Sequence, residues 1–316
     1  MTSPLLAVRD LSVTFRAIRL VDSVSFDIGR GEVFGLVGES GSGKTLTALA
    51  LMRLLLPALH ATGSVELDGR NLLAMSEREL RTVRGGQIGM IFQEPTAALN
   101  PVFTIDAQIR AAIRAHTAMT DRQAGERVIE LLGKVGIPDP ASRRKFYPHQ
   151  LSGGLCQRVM IAMALAGGAR LLVADEPTTA LDVTIQEEIV GLIEQLARDT
   201  GISVLFISHD LGLVARLCHR IAVAYAGQIV EIGATQTLLR APRHPYTQGL
   251  VRCVPKLHEV GVLQRGIPGN PPAAGRWPTG CRFAPRCPQA GDGCDEAQVL
   301  RDEPPDGAVR CWRARA

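Results

Sequence analysis

The sequence predicts an α/β fold followed by a small irregular C-terminal module, and three features of its 316 residues support this. A glycine-rich stretch at 38–45 lies between an apolar run at 33–37 and a helix-forming run. Strand-like and helix-like segments alternate over 153–224. From Pro255 onward the chain is rich in proline, holds both tryptophans and shows little periodicity. We therefore expect one domain at 1–240 and a second at 241–316.

The elements of the first domain follow from apolar periodicity and from turn and cap residues. The expected strands are 6–8, 11–15, 24–28, 33–37, 64–67, 88–92, 171–174, 204–207 and 221–224. The expected helices are 46–56, a short helix opened by the capping box of Ser76 and Glu79, the helical region 104–135, 153–166 and 184–197.

Composition narrows the function classes. The net charge of +4 is mild and the charges are interspersed, which argues against nucleic acid as the main partner. The first four residues lack a basic region followed by an apolar core, so no secretion signal is expected. The apolar segment 46–56 is too short to span a bilayer, and work at a membrane would require partners that cross it.

The glycine-rich stretch has the context of a phosphate-binding loop, because a strand precedes it and a helix follows it. Glycines let backbone N–H groups surround phosphates, the helix N-terminus favours an anion, and the Lys-Thr pair would reach the phosphates and Mg²⁺. The alternative is a glycine-rich turn with no ligand. The expected nucleotide-binding residues are Gly38, Glu39, Ser40, Gly41, Ser42, Gly43, Lys44 and Thr45.

Two further segments fit a nucleotide site. The apolar strand at 171–174 ends in Asp175 and Glu176, where the first can hold Mg²⁺ and the second can take a proton from attacking water. An ordinary acidic turn is the alternative. Ser152, Gly153 and Gly154 form a second capped helix start, which one nucleotide in one domain does not need. It either contacts a nucleotide held by another subunit or is a commonplace cap.

Together with Gln93, the segment Ala180-Leu181-Asp182 and His209, these motifs resemble the ATP-binding-cassette family in order and spacing over about residues 5–235. The resemblance implies a P-loop nucleotide-binding cassette with a mixed central sheet, an antiparallel β subdomain and a helical subdomain at about 95–165. It also implies a head-to-tail dimer with two ATP molecules, each between one chain's phosphate loop and the partner's 151–158 signature.

The resemblance assigns roles to single residues. Phe15 would stack on adenine, although a core position in its strand is an equal alternative. Thr45, Gln93 and Asp175 would hold Mg²⁺, and Gln93 would also sense the attacking water. Glu176 would be the general base, His209 would contact the γ-phosphate, and Asp182 would report across the dimer interface. Leu155 replaces the commoner glutamine of the signature, but Ser152 and both glycines remain, so we expect a competent ATPase.

The stretches 242–247, 269–272 and 278–287 resemble the C-terminal extension of oligopeptide and dipeptide importer ATPases, a branch that includes nickel-import relatives. His244 within them is expected to be a solvated loop residue. The implied protein powers the import of peptides, or alternatively of nickel or another small solute, from the cytoplasmic face of a bacterial inner membrane. Its implied partners are a second ATPase subunit (a paralogue or a second copy), two transmembrane permease subunits and an extracytoplasmic solute-binding protein. The surface near Gln93 and residues 99–101 would bind a coupling helix of a transmembrane subunit.

Cys281, Cys287, Cys294 and Cys311 cluster in the proline-rich tail, with spacings that match neither a zinc-finger pattern nor common ferredoxin runs. In a module with little apolar core, metal–thiolate bonds can supply order. The resemblance favours a [4Fe–4S] cluster, with zinc as the second choice and free or oxidised thiols as the alternative. Two other functions stay open: a soluble cassette ATPase acting on nucleic acid or ribosomes, and a redox-sensing regulator.

Overall fold

The computed structural model describes residues 3–179, 181–254, 266–303 and 307–315. The change in composition at Pro255 therefore lies outside the described residues. The described parts form two compact units. The first draws on Met1–Ile28, Val33–Leu73 and Ile207–Ala316, and the second on Gly29–Glu32 and Ala74–Phe206.

The elements alternate as an α/β chain does. The strands are β1 (Leu6–Phe15), β2 (Ile18–Ile28), β3 (Val33–Val37), β4 (Leu59–Leu67), β5 (Arg70–Asn71), β6 (Ile88–Ile91), β7 (Leu171–Asp175), β8 (Ser203–Ser208), β9 (Arg220–Tyr225), β10 (Gln228–Ala234), β11 (Arg301–Glu303) and β12 (Gly307–Val309). The helices are α1 (Lys44–Leu51), α2 (Glu77–Val83), α3 (Pro95–Ala98), α4 (Ile105–His116), α5 (Asp121–Lys134), α6 (Pro140–Arg143), α7 (Gly153–Leu165), α8 (Val183–Thr200), α9 (Leu211–Leu217), α10 (Thr235–Arg240) and α11 (Pro245–Arg252).

The first unit contains the expected antiparallel sheet, in the order β2-β1-β4-β5. The two strands expected at 6–8 and 11–15 are one strand, β1, whose register shifts between Val8 and Leu11. In the same unit β11, β12, β10, β9 and β3 are successive neighbours, and β3 pairs with β9 in parallel. Every residue of β3 is buried, which explains its uninterrupted apolar sequence.

The second unit contains the parallel pair β6 and β7 and the helices α2 to α8. The helical region expected at 104–135 is two helices, because Thr104 and Thr120 each cap a separate N-terminus. Thr120 and Gln123 form a capping box that begins α5.

The helix expected at 46–56 is shorter than predicted, since α1 ends at Leu51. Arg53 adopts a left-handed φ of 50°, a conformation that stops a helix, and Pro57 follows. The following strand, β4, begins at Leu59, ahead of the expected 64.

Candidate nucleotide site and thiol pocket

The phosphate loop lies between β3 and α1 in the first unit, and its glycines adopt backbone conformations that other residues rarely reach. Gly38, Gly41 and Gly43 have φ values of 154°, 76° and 94°. A Cβ added at Gly38 would overlap the backbone carbonyl oxygen of Ala224 in β9. Glycine is therefore required at 38 both for its conformation and for the close approach of two backbones.

Lys44 lies folded back over this loop. Its side chain is buried, and its Nζ donates hydrogen bonds to the carbonyl oxygens of Gly38 at 2.8 Å and Glu39 at 3.1 Å. Gly43 is the N-cap of α1 and offers no side-chain cap. The first turn of α1 therefore presents backbone N–H groups together with a lysine, which is the arrangement that binds a phosphate.

Ser42 adds an independent indication of a ligand. Its hydroxyl is buried and has no hydrogen-bond partner among the residues that the structure describes. A buried hydroxyl without a partner is costly unless something else bonds to it. An oxyanion at the loop would supply that partner. Thr45, three residues further on, is exposed.

Two other predicted site residues belong to the first unit. His209 is exposed directly after β8, and the neighbouring Asp210 caps α9 by accepting from the N–H of Gly212 at 2.7 Å. Phe15 ends β1, is half-buried, and has the guanidinium carbon of Arg16 at 5.3 Å from its ring centroid. Phe15 is therefore not a fully buried core residue.

The second unit carries the acidic strand end. Asp175, the last residue of β7, is 3% exposed, while Glu176 is half-buried with a φ of 45°. The Glu176 carboxylate accepts a hydrogen bond from the Thr179 hydroxyl at 2.9 Å. Gln93 is exposed two residues after β6. The positive φ turns the chain sharply at Glu176, so the side chains of Asp175 and Glu176 lie in different surroundings.

The signature segment begins α7 as expected. Ser152 is the N-cap, and its Oγ accepts from the N–H of Leu155 at 3.4 Å. A Cβ added at Gly154 would lie 2.8 Å from Ile185 Cγ2, so this glycine also permits close packing against α8. Asp182 caps α8 by accepting from the Ile185 N–H at 3.0 Å. Ala180, part of the same motif, lies outside the described residues.

The four tail cysteines meet at one pocket of the first unit. Cys281, Cys287, Cys294 and Cys311 line it together with His244 and Phe283. The Trp312 indole N–H donates to the Cys294 sulfur at 3.4 Å, and burial raises the pKa of Cys281 and Cys287. Within the described ranges, no group of three or more His, Cys, Asp or Glu side chains is arranged to hold a metal ion.

The comparisons with known proteins decide the family. A family described as "ABC transporter" matches residues 21–179, and one described as "Oligopeptide/dipeptide transporter, C-terminal region" matches residues 230–294. The chain belongs to the ABC transporter ATPase family. The resemblance predicted from the motifs is thereby confirmed, as is ATP hydrolysis as the activity of this chain.

Curated relatives of this ATPase cover almost its whole length. The dipeptide transport ATP-binding protein DppD of Escherichia coli K12 is 48% identical over 286 residues, 90% of this chain and 86% of the relative. The oligopeptide transport ATP-binding protein OppD of Salmonella typhimurium is 44% identical over 313 residues, 98% and 93% of the two chains. DppD of Bacillus subtilis is 44% identical over 316 residues, 97% and 94% of the two chains.

Solved structures confirm the cassette fold that the sequence predicted. The ATP-binding cassette MJ0796, a dimer bound to ADP and Pi, aligns with a TM-score of 0.65 at 27% identity and covers 73% of this chain and 98% of its own. The cbiO1 protein of Clostridium perfringens aligns with the same TM-score at 24% identity, over 77% and 97% of the two chains, and supports the fold alone. Among the described helices of this ATPase, none is long and apolar enough to cross a membrane.

The structure also identifies residues that the motifs did not point to. The N–H of Gly227 donates to the carbonyl oxygen of Ser42 at 3.0 Å, and Tyr246 and Arg286 both contact Glu39. These three residues lie 182 or more positions after Thr45, the last residue of the phosphate loop. The resemblance to the importer extension indicated the segments that contain Tyr246 and Arg286, but nothing in their sequence indicated a contact with the loop.

Proposed function

We propose that this ABC transporter ATPase powers the import of peptides, with domains at 1–240 and 241–316. The observation that carries the proposal is the succession of an ABC transporter match and a peptide-transporter C-terminal match within one chain. Relatives named for dipeptide and oligopeptide transport over most of their length support it. Family membership gives the activity, and the C-terminal region indicates the class of solute.

We propose the following nucleotide contacts. The backbone N–H groups at 38–45 and the Lys44 ammonium bind the β- and γ-phosphates, since charge-assisted hydrogen bonds to oxyanions are strong. The Ser42 hydroxyl, which is buried and lacks a partner in the described part of the chain, donates to a phosphate oxygen. The ring of Phe15, half-buried at the end of β1, stacks on the adenine.

For hydrolysis we assign one role to each remaining side chain. Thr45, Gln93 and Asp175 would hold Mg²⁺, which supplies charge neutralisation at the β- and γ-phosphates when bound. The carboxylate of Glu176 takes a proton from the attacking water, and the exposed His209 donates to the γ-phosphate. The Thr179 hydroxyl donates to one oxygen of the Glu176 carboxylate at 2.9 Å, and this hydrogen bond helps to orient the base.

The partners follow from the signature segment and from the family. The helix start at Ser152, Gly153 and Gly154 serves a nucleotide on a second ATPase subunit, which is a paralogue or a second copy. Asp182 lies at that interface. The ATPase lies on the cytoplasmic face of the bacterial inner membrane, where it binds two transmembrane permease subunits near Gln93 and residues 99–101. An extracytoplasmic solute-binding protein delivers the peptide.

The transport proposal is tested in the assembled transporter. Reconstituted into liposomes with its permeases, its second ATPase and its solute-binding protein, the complex should hydrolyse ATP faster when a mixture of di- to pentapeptides is supplied outside. Stimulation by Ni²⁺ with no response to peptides would favour the nickel alternative. Hydrolysis that responds to RNA or ribosomes, with no permease bound, would favour the soluble ATPase.

The general base is tested with Glu176→Gln, which keeps the shape of the side chain and removes the carboxylate. We expect the variant to bind ATP, to accumulate as the closed dimer and to lose at least about 100-fold in turnover, the size of a general-base contribution. Turnover and dimer fraction are measured with the assembled complex. Glu187→Gln makes the same chemical change at an exposed position of α8 and should retain normal turnover. Normal turnover in Glu176→Gln would remove it from this role.

We also propose that the thiol pocket holds a structural [4Fe–4S] cluster. Four cysteines line one pocket, which is the number of thiolates that such a cluster takes, and the Trp312 N–H donates to the Cys294 sulfur. Because no three of the described His, Cys, Asp or Glu side chains are arranged for a metal ion, the thiols would have to converge when the cluster binds. Burial disfavours thiolates at Cys281 and Cys287, and a bound cation would reverse that preference. The cluster would order a module that has few apolar side chains to bury.

Metal content tests this second proposal. Chain purified without oxygen should contain about four iron and four sulfide per molecule, with visible absorbance, as the composition of this cluster requires. Cys294→Ser should lose both, whereas Cys253→Ser, a half-buried cysteine outside the pocket, should keep them. Stoichiometric zinc without sulfide would establish zinc instead, and no metal under these conditions would overturn the assignment.

A further inference from the structure

Glu39, the second residue of the phosphate loop, is held at each of its polar groups. Its N–H donates to the Tyr246 hydroxyl at 3.0 Å, and its carbonyl oxygen accepts from the Lys44 ammonium at 3.1 Å. Its two carboxylate oxygens accept from the two terminal nitrogens of Arg286 at 2.7 and 3.1 Å. Two of these three anchors come from the C-terminal part of the chain.

The pair of Arg286 and Glu39 has the properties of a strong interaction. It is bidentate, and the Arg286 side chain is only 5% exposed. Because the arginine is already removed from water, taking away its carboxylate partner would leave a buried charge uncompensated.

Arg286 is fixed from its other sides as well. Its Nε donates to the carbonyl oxygen of Pro268 at 2.9 Å, and its guanidinium carbon lies 5.7 Å from the ring centroid of Tyr225. Tyr225 packs in turn on Tyr246 with ring centroids 4.5 Å apart. Tyr246 and Arg286, the two anchors of Glu39 from the C-terminal part of the chain, therefore belong to one cluster of packed side chains with Tyr225 in the first unit.

The same cluster adjoins the thiol pocket. A short turn at Ala284–Arg286 joins Cys281 to Cys287, with the N–H of Ala284 bonded to the Cys281 carbonyl and the N–H of Cys287 bonded to the Ala284 carbonyl. Phe283 lines the pocket, and its ring centroid lies 5.3 Å from that of Tyr246. A displacement of this turn would move Arg286, and with it the carboxylate of Glu39.

We propose that Arg286 and Tyr246 are positioning residues for ATP binding, which hold Glu39 and so set the conformation of the phosphate loop. The C-terminal module thereby tunes the affinity of the ATPase for nucleotide. This rests on the proposed role of residues 38–45 as the phosphate site. The module acts only through the loop and does not touch the reacting atoms.

The test compares KM and kcat for ATP in the assembled transporter. Arg286→Gln removes the charge pair, and we expect KM to rise about tenfold with kcat within about twofold of normal, because the loop must then be ordered by the nucleotide itself. Tyr246→Phe removes one oxygen and keeps the ring packing, so it should fold normally and raise KM about threefold. A merely structural role would lower the folded fraction, and hence apparent kcat, without changing KM.

Arg310→Gln is the matched control. It removes a buried guanidinium of the same module, whose hydrogen bonds go to the carbonyl oxygens of Ile229 and Gln298, and it should leave KM unchanged. Unchanged KM in Arg286→Gln and Tyr246→Phe, or an equal rise in Arg310→Gln, would overturn the inference. Lys44→Ala separates the two proposals. If this variant retains ATP turnover, the assignment of the phosphate loop fails. If Lys44→Ala loses turnover while Tyr246→Phe has a normal KM, only the positioning role is refuted.

Discussion

At the scale of single residues, the glycines of the phosphate loop are not equivalent. Gly38 combines a positive φ with the close approach of the Ala224 carbonyl, whereas Gly41 has a positive φ with open space where a Cβ would lie. Gly41→Ala should cost about 1 kcal/mol of unfolding free energy, the ordinary penalty for a left-handed alanine. Gly38→Ala should cost about 3 kcal/mol or more, since a backbone must also move.

Urea unfolding of the purified chain, followed by circular dichroism, measures both variants against the unmodified protein. The difference between the two alanine variants combines the contact with Ala224 and the different backbone conformations, with φ of 154° at Gly38 and 76° at Gly41. Equal losses would mean that the backbone at 38 relaxes freely and that the close approach does not stabilise the loop.

His244 shows why some residues could not be predicted. The sequence placed it in a solvated loop, but it is 1% exposed, and burial lowers its pKa to about 3. It is the N-cap of α11, where its Nδ1 accepts from the Tyr246 N–H, and its own N–H donates to Glu231 in β10. The expectation was wrong because the Glu231 carboxylate that accepts from its N–H comes from β10, and local polarity does not reveal that this strand lies nearby.

At the scale of elements, the sequence predicted helix starts and strand bounds correctly where capping residues or an apolar run alone determine them. The capping box of Ser76 and Glu79 is present as expected, and β3 has the bounds of its apolar run. Prediction failed where tertiary pairing decides. The strand β4 begins five residues early because 59–62 pairs with 12–15 of β1, and β10 was missed because its length is set by pairing with β9.

Helix α7 contains a buried polar residue, Gln157, whose effect on the free energy of unfolding can be measured. Both amide atoms of Gln157 are buried and lack a hydrogen-bond partner among the described residues. Methionine has a similar shape and no amide to desolvate, so Gln157→Met should raise the free energy of unfolding of the isolated chain by about 1–2 kcal/mol.

The control for this change is Gln195→Met at an exposed position of α8, which should alter stability by no more than about 0.5 kcal/mol. Both are measured by urea unfolding. A loss of stability in Gln157→Met would instead show that the amide has a partner in solution, such as a buried water.

At the scale of the whole molecule, the sequence predicted the cassette because its motifs are short and local, each pairing a strand end or a helix start with a few fixed residues. The contact of Arg286 with Glu39 is different in kind. It joins residues 247 positions apart, and neither side chain belongs to a motif that specifies the other. Only the folded chain brings them together.

Reciprocity gives a prediction for the whole chain. If Arg286 and Tyr246 improve nucleotide binding by holding the loop, then bound nucleotide must stabilise the turn between Cys281 and Cys287 by the same factor. In chain freed of iron and zinc, saturating Mg·ADP should slow alkylation of Cys287 by iodoacetamide up to about tenfold, as followed by mass spectrometry. Cys253 is the internal reference, and Arg286→Gln should abolish the effect. Equal protection in that variant would mean that nucleotide reaches the thiol pocket by a route other than Glu39.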